Sequence, residues 1–192
     1  MQFYSTNRKT SPVSLREAVV RGLAADRGLF MPEVIRRFPP AFYQNMKEMT
    51  LREISFVVAE AFFGEDVEAG KLKEIVDETL NFDIPLVQVA DNRYSLELFH
   101  GPTLAFKDVG ARFMARLLAY FNKQEGERQV NVLVATSGDT GSAVANGFLD
   151  VPGVKVFVLY PQGKVSEIQE KQFTTLGRNI TALEVSLSLI HI

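Results

Sequence analysis

From Asp83 onward the chain alternates short apolar runs with helical periodicities, and that alternation limits the fold more than any other feature. The runs Val130-Asn-Val-Leu-Val-Ala135 and Val154-Lys-Val-Phe-Val-Leu-Tyr160 are rich in β-branched residues and almost unbroken in apolar character. Strands buried on both faces of a parallel sheet have this texture. A further run covers Ile180–Val185, and two earlier ones cover Pro85–Ala90 and Tyr94–Phe99. Helical patterns lie at about Leu104–Gln124, Thr140–Leu149 and Ser166–Leu176, so the sequence predicts βαβ units and a parallel sheet covered on both faces. Residues 1–82 read differently, as mostly helices. Ser14 and Glu17 form a capping-box start, and helical stretches are expected over about Thr50–Phe63 and Val67–Leu80. Between them Pro32, Pro39 and Pro40 mark a loop-rich connection. The expected fold class is α/β: a small, mostly helical N-terminal domain over 1–82, then the first part of a parallel-sheet domain over 83–186.

Composition narrows the function. A chain of 192 residues can bury roughly 70% of its unfolded surface, enough for a core without staples. The absence of cysteine removes disulfides, thiolate metal sites and a cysteine nucleophile. Lysine and arginine number 21 against 23 acidic residues, so no basic field exists to hold nucleic acid. No apolar run approaches the length of a membrane span, and the first residues are polar. The expectation is a protein of the cytoplasm that binds neither nucleic acid nor membrane.

The sharpest chemistry lies in Glu97-Leu-Phe-His-Gly-Pro-Thr-Leu-Ala-Phe-Lys-Asp108. Gly101 and Pro102 break the chain after a strand, and Thr103 stands where a helix N-cap belongs. At 100° per residue, Asp108, Arg112, Arg116 and Lys123 gather on one face, which reads as the solvated one. Lys107 lies opposite, in a stripe with Gly110, Ala111, Met114, Leu118 and Phe121. A lysine desolvated on an apolar stripe favours the free amine, the form that attacks a carbonyl to give a Schiff base. Gly110 and Ala111 leave room beside it for a flat ring. The plainer alternative is a lysine that reaches solvent or pairs with Asp108.

The second feature is Ala135-Thr-Ser-Gly-Asp-Thr-Gly-Ser142, directly after a strand and opening a helix. Its glycines permit tight geometry, and Ser137, Asp139 and Thr140 place hydroxyls and unpaired N–H groups at a helix N-terminus, which suits a carboxylate or phosphate. A capped turn without a ligand has the same composition. The spacing G-x-x-G is not that of a dinucleotide loop, and Gly163-Lys164-Val165-Ser166 is not a P-loop. Only His100 and His191 could serve as an imidazole base, and Ser137 lacks the G-x-S-x-G setting of a hydrolase nucleophile. No metal site is expected from two histidines and no cysteine.

Taken together, ELFHGPTLAFKD at 97–108 and ATSGDTGSA at 135–143 closely resemble the threonine synthase family in its longer bacterial and fungal form. Asp26-Arg-Gly-Leu-Phe-Met-Pro32 and Tyr160-Pro-Gln-Gly-Lys-Val-Ser166 extend the resemblance, which covers essentially all of 1–185. It implies a pyridoxal 5'-phosphate enzyme of the second fold type, similar to the tryptophan synthase β chain. The implied activity is a carbon–oxygen lyase acting on phosphates, which converts O-phospho-L-homoserine and water into L-threonine and phosphate. By the resemblance, Lys107 carries the cofactor as a Schiff base and is the catalytic residue. Asp139 lies near the cofactor, Ser137, Gly138 and Thr140 hold the substrate carboxylate, and Lys164 is the candidate for the leaving phosphate. Arg112 is set aside for that role because it falls opposite Lys107. Two further readings stand beside this one: a related phospholyase acting on another O-phosphorylated amino alcohol, and a non-catalytic anion-binding α/β module.

The family's chains are more than twice as long. A later glycine-rich loop for the cofactor phosphate and the partner of the pyridine nitrogen lie outside this sequence, so little or no turnover is expected of the 192 residues alone. Leu187-Ser-Leu-Ile-His-Ile192 departs from the family and reads as a non-native tail, the translation of a sequencing adapter.

Overall fold

The computed structural model describes residues 1–124, 126 and 128–186, so the predicted tail at 187–192 lies outside the described residues. The chain divides into two compact units, Met1–Asn81 and Phe82–Ile192.

The first unit is not only helical. Three short strands, β1 (Gln2–Ser5), β2 (Val13–Ser14) and β3 (Phe30–Pro32), form an antiparallel sheet in the order β2-β1-β3. Strands of four, two and three residues are too short to display alternation. The helices start where caps place them. Ser14 accepts the Glu17 N–H at 3.2 Å to open α1 (Leu15–Arg21). Pro40 begins a short α2 (Pro40–Asn45) inside the segment expected to be loop. Thr50 and Glu53 then cap each other at the start of α3 (Leu51–Phe63), and α4 (Ala69–Thr79) packs against α3. Leu72, Ile75 and Val76 on α4 are buried, as is Leu80 just beyond it.

Asp26 ties the loops of this unit together. Its carboxylate accepts from Ser5 Oγ at 2.6 Å, Lys9 N at 2.9 Å and Gly28 N at 3.0 Å. The Ser5 hydroxyl, with help from those backbone N–H groups, holds the Asp26 carboxyl below the usual aspartate range. The Asp26 carboxylate is thus satisfied by its own surroundings.

The second unit opens with a hairpin of β4 (Leu86–Ala90) and β5 (Arg93–Leu96). It continues with α5 (Lys107–Gln124), β6 (Val130–Ala135), α6 (Asp139–Gly147), β7 (Val154–Pro161), α7 (Glu167–Thr174) and β8 (Ile180–Val185). β6, β7 and β8 form a parallel sheet in that order, so both connections are βαβ units. One face is dry: Val154, Val156, Val158 and Tyr160 are buried, and the Tyr160 ring meets Phe173 of α7 edge-on at 5.1 Å. α6 packs against both α5 and α7. Gly147 makes the α5 contact possible, because a Cβ there would lie 3.0 Å from the Ala111 backbone.

The expectation of a sheet covered on both faces is corrected. Leu133 is 73% exposed and Leu183 is 44% exposed. Leu133 and Phe157, and Leu159 and Leu183, are direct neighbours by register, and no described element covers this side. Among the described residues, no helix is long and apolar enough to cross a membrane.

Candidate active site

The loop ahead of Lys107 is organised differently from the predicted cap. Thr103 does not cap a helix. Instead it donates to Asp108 twice, from its backbone N at 2.9 Å and from Oγ1 at 2.6 Å, and α5 begins only at Lys107. These bonds fold residues 101–108 into a turn that delivers Lys107 at the first position of the helix.

The first half of α5 departs from the sequence expectation, while Leu118 and Phe121 are buried and Lys123 is exposed as expected. Asp108 is 1% exposed and Arg112 is 8% exposed, and with Ala115, Leu118 and Asn122 they form the buried side. Polar side chains can line a buried face when each is partnered. Thr103 satisfies Asp108, and the Arg112 guanidinium lies 5.9 Å from the centre of the Phe82 ring. Lys107 and Gly110 fall on the open side, and the Lys107 side chain is one-third exposed rather than desolvated. It does not pair with Asp108. It forms an ion pair with Asp139, Nζ to Oδ2, at 3.5 Å. One turn along the helix, nothing lies within 4 Å of the place a Cβ on Gly110 would occupy, so the space beside Gly110 is open.

Asp139 is the first residue of α6, at the carboxyl end of β6, and so the two sequence motifs meet there. Thr136 builds the connecting loop: its buried Oγ1 accepts from Gly138 N at 3.0 Å and from Gly141 N at 2.8 Å. Gly138 adopts φ +143° and ψ −87°, a conformation that a residue with a side chain rarely takes, and a Cβ there would strike Gln169. With Gly141 N consumed inside the loop, the N–H groups of Asp139 and Thr140 are left without a partner among the described residues. Ser137 and Thr140 are exposed beside them. A helix N-terminus with free donors next to a lysine amine can receive a carboxylate and hold it near the amine.

Lys164 lies in the exposed loop after β7, also at the carboxyl end of the sheet, and makes no ion pair among the described residues. His100 instead pairs with Glu97 at 2.7 Å and stacks on Phe99, a local arrangement. Sequence reasoning missed Gln169, which reaches from α7 to Asp139 across 30 residues. It missed Thr136 as well, although a hydroxyl two residues before the glycine is a signal for such a turn.

The chain is similar to known proteins along almost its whole length. Residues 2–80 match the family model for the threonine synthase N terminus. Threonine synthase from Serratia marcescens is 43% identical over 185 residues, covering 96% of this chain and 42% of that protein. The crystal structure of threonine synthase from Escherichia coli superposes with a TM-score of 0.89 at 40% identity, over 99% of this chain and 44% of that one. A pyridoxal-phosphate-bound threonine synthase from Brucella melitensis gives a TM-score of 0.90 at 35% identity, over 98% of this chain and 42% of that one. The chain therefore spans about 42% of the length of the curated relatives it matches. Both the family model and the full-chain similarities place it in the threonine synthase family, where it corresponds to the N-terminal two-fifths of the known members.

Proposed function

We propose that this chain is the lysine-bearing part of a threonine synthase, which converts O-phospho-L-homoserine and water into L-threonine and phosphate with pyridoxal 5'-phosphate. The carrying observation is the meeting of Lys107 and Asp139 at 3.5 Å, which joins the two motifs at the carboxyl end of a parallel sheet. The residues fit the cofactor. An amine one-third exposed, with open space beside Gly110, accepts a flat aldehyde, and Asp139 stands where it can orient the ring.

When bound, the cofactor supplies an electron sink for the bonds at the substrate α-carbon. The protein supplies position and proton transfer. The free N–H groups of Asp139 and Thr140, with the Ser137 hydroxyl and the Gly138 turn, bind the substrate carboxylate. Lys107 Nζ removes the proton from the α-carbon and returns one late in the reaction. Loss of a β-proton lets the phosphate leave from the γ-carbon; a proton delivered to the γ-carbon makes the methyl group, water adds its hydroxyl at the β-carbon, and the α-carbon regains a proton, so atoms balance. Lys164, at the same end of the sheet, takes the departing phosphate. The substrate is a small molecule, and a cytoplasmic setting belongs to the same reading.

The test joins this chain to the remaining C-terminal part of the Escherichia coli enzyme and measures phosphate release from O-phospho-L-homoserine. Release is expected, with a loss of about a thousandfold or more in Lys107→Ala. Borohydride reduction with pyridoxal phosphate should tag Lys107. No release, or a tag spread over the exposed lysines, would falsify the assignment.

A further inference from the structure

A chain of side chains leads from α7 to the lysine. The Ser166 hydroxyl donates to Gln169 Oε1 at 3.0 Å, which fixes the direction of the Gln169 amide. Gln169 Nε2 then donates to Asp139 Oδ1, and the other carboxylate oxygen, Oδ2, faces Lys107 Nζ at 3.5 Å. The Ser142 hydroxyl lies between the two segments, 3.1 Å from the Gly138 carbonyl and 3.3 Å from the Gln169 carbonyl, so its one proton is shared between them. One turn further along α7, Gln172 Nε2 donates to the Thr103 carbonyl at 3.4 Å, on the loop that delivers Lys107. A single helix thus touches both motif loops.

We infer that Gln169 is a positioning residue: it holds one oxygen of Asp139 so that the other is presented to Lys107. The argument is steric and directional. Asp139 is about half exposed and its described side-chain partners are Gln169 and Lys107, so without Gln169 only a solvent-exposed ion pair would restrain its carboxylate. With Oδ1 engaged, one rotamer is selected, and the carboxylate is placed before any ligand arrives. Gln169 also closes the space beside Gly138, where a Cβ would lie 2.5 Å from its Oε1, so the same side chain fixes the turn and the carboxylate. The catalytic meaning of this placement rests on the proposed function, but the placement itself does not.

The experiment uses the 192-residue chain without cofactor. Each lysine is acylated with a small anhydride, and modification rates are read by peptide mass spectrometry, with Lys123, Lys164 and Lys171 as internal references. An amine engaged by a carboxylate is a poor nucleophile, so Gln169→Met should raise the Lys107 rate about threefold while the references stay constant. Asp139→Asn should produce the same rise, and Gln169→Met should add nothing in that background, since it acts through Asp139. An unchanged Lys107 rate in Gln169→Met, or an equal increment with and without Asp139, would overturn the inference. If Gln169→Met loses its cooperative unfolding transition, a comparison that keeps Gln169 gives a second readout. The Gln169 side-chain amide resonances should shift, and their protons exchange faster with solvent, in Asp139→Ala. Resonances that ignore Asp139 would refute the link. Failure of the borohydride tag with these coupled rates intact would sink the enzymatic reading and leave the positioning intact.

Discussion

Asp26 and Asp139 both stand in motif segments, yet the structure uses them in opposite ways. The Asp26 carboxylate is spent on its own chain, accepting from Ser5, Lys9 and Gly28. Asp139 gives one oxygen to Gln169 and turns the other toward Lys107, with half of its side chain in solvent. A polar group whose bonding capacity is consumed by the backbone around it holds a loop in shape. One that keeps capacity facing an amine and open space is available to a ligand. Residue type and motif alone do not separate the two.

The contrast can be broken most forcefully at Asp108, a third carboxylate, which is almost fully buried and accepts twice from Thr103. Asp108→Ala should cost about 3 kcal/mol in urea unfolding, because a buried charge-assisted pair is lost and the Thr103 donors are stranded. A cost below about 1 kcal/mol would place Asp108 with the available carboxylates instead. Thr136→Val should cost about 2 kcal/mol, while Thr136→Ser retains most of the stability, since only the hydroxyl oxygen serves Gly138 and Gly141. Amide exchange at those two glycines should accelerate in the valine variant alone.

Asp26 supplies a pH-dependent test. Its carboxyl sits below the ordinary aspartate value near 3.9, so at pH values between the two the folded state binds fewer protons than the unfolded state. The stabilisation is therefore complete above about pH 4 and is lost as pH falls through the depressed value. Acid unfolding should become shallower in Asp26→Asn, and an unchanged acid slope would contradict the role of the Ser5 hydroxyl. The smallest effect is expected at Asp139: Asp139→Ala should stay within about 0.5 kcal/mol of the parent while altering Lys107 reactivity.

These particulars also show what was readable from the sequence. The run Val130–Ala135 was legible to the residue, because β-branched and apolar side chains bounded by turn formers leave a strand little alternative. Ser14 and Glu17 likewise announced α1 through their capping-box spacing, and Ser14 does accept from the Glu17 N–H. The first half of α5 was misread because Asp108 and Arg112 are polar, and polarity stands for exposure only where no buried partner waits. The three short N-terminal strands carried no periodic signal. Lys107 and the 137–140 loop were visible as motifs, but their meeting was not, and Gln169 gave no local sign because its partner lies 30 residues away. Contacts of that separation depend on how helices stack over a sheet.

One property of the parallel sheet bears on how the chain reaches this structure. Both pairings join residues 24 positions apart, Val130 with Val154 and Val156 with Ile180. Entropic closure costs are then nearly equal, and the three strands can zip from either side at similar speed. Beyond Asn131 and Lys155 near their starts, β6 and β7 are apolar on both faces, so those two polar residues carry most of the hydrophobic penalty of a one-residue slip. The rest of the alignment comes from the connectors, whose helices and turns act as spacers of fixed length. A single residue inserted into either crossover would threaten the meeting of Lys107 and Asp139 more than many substitutions within the strands themselves.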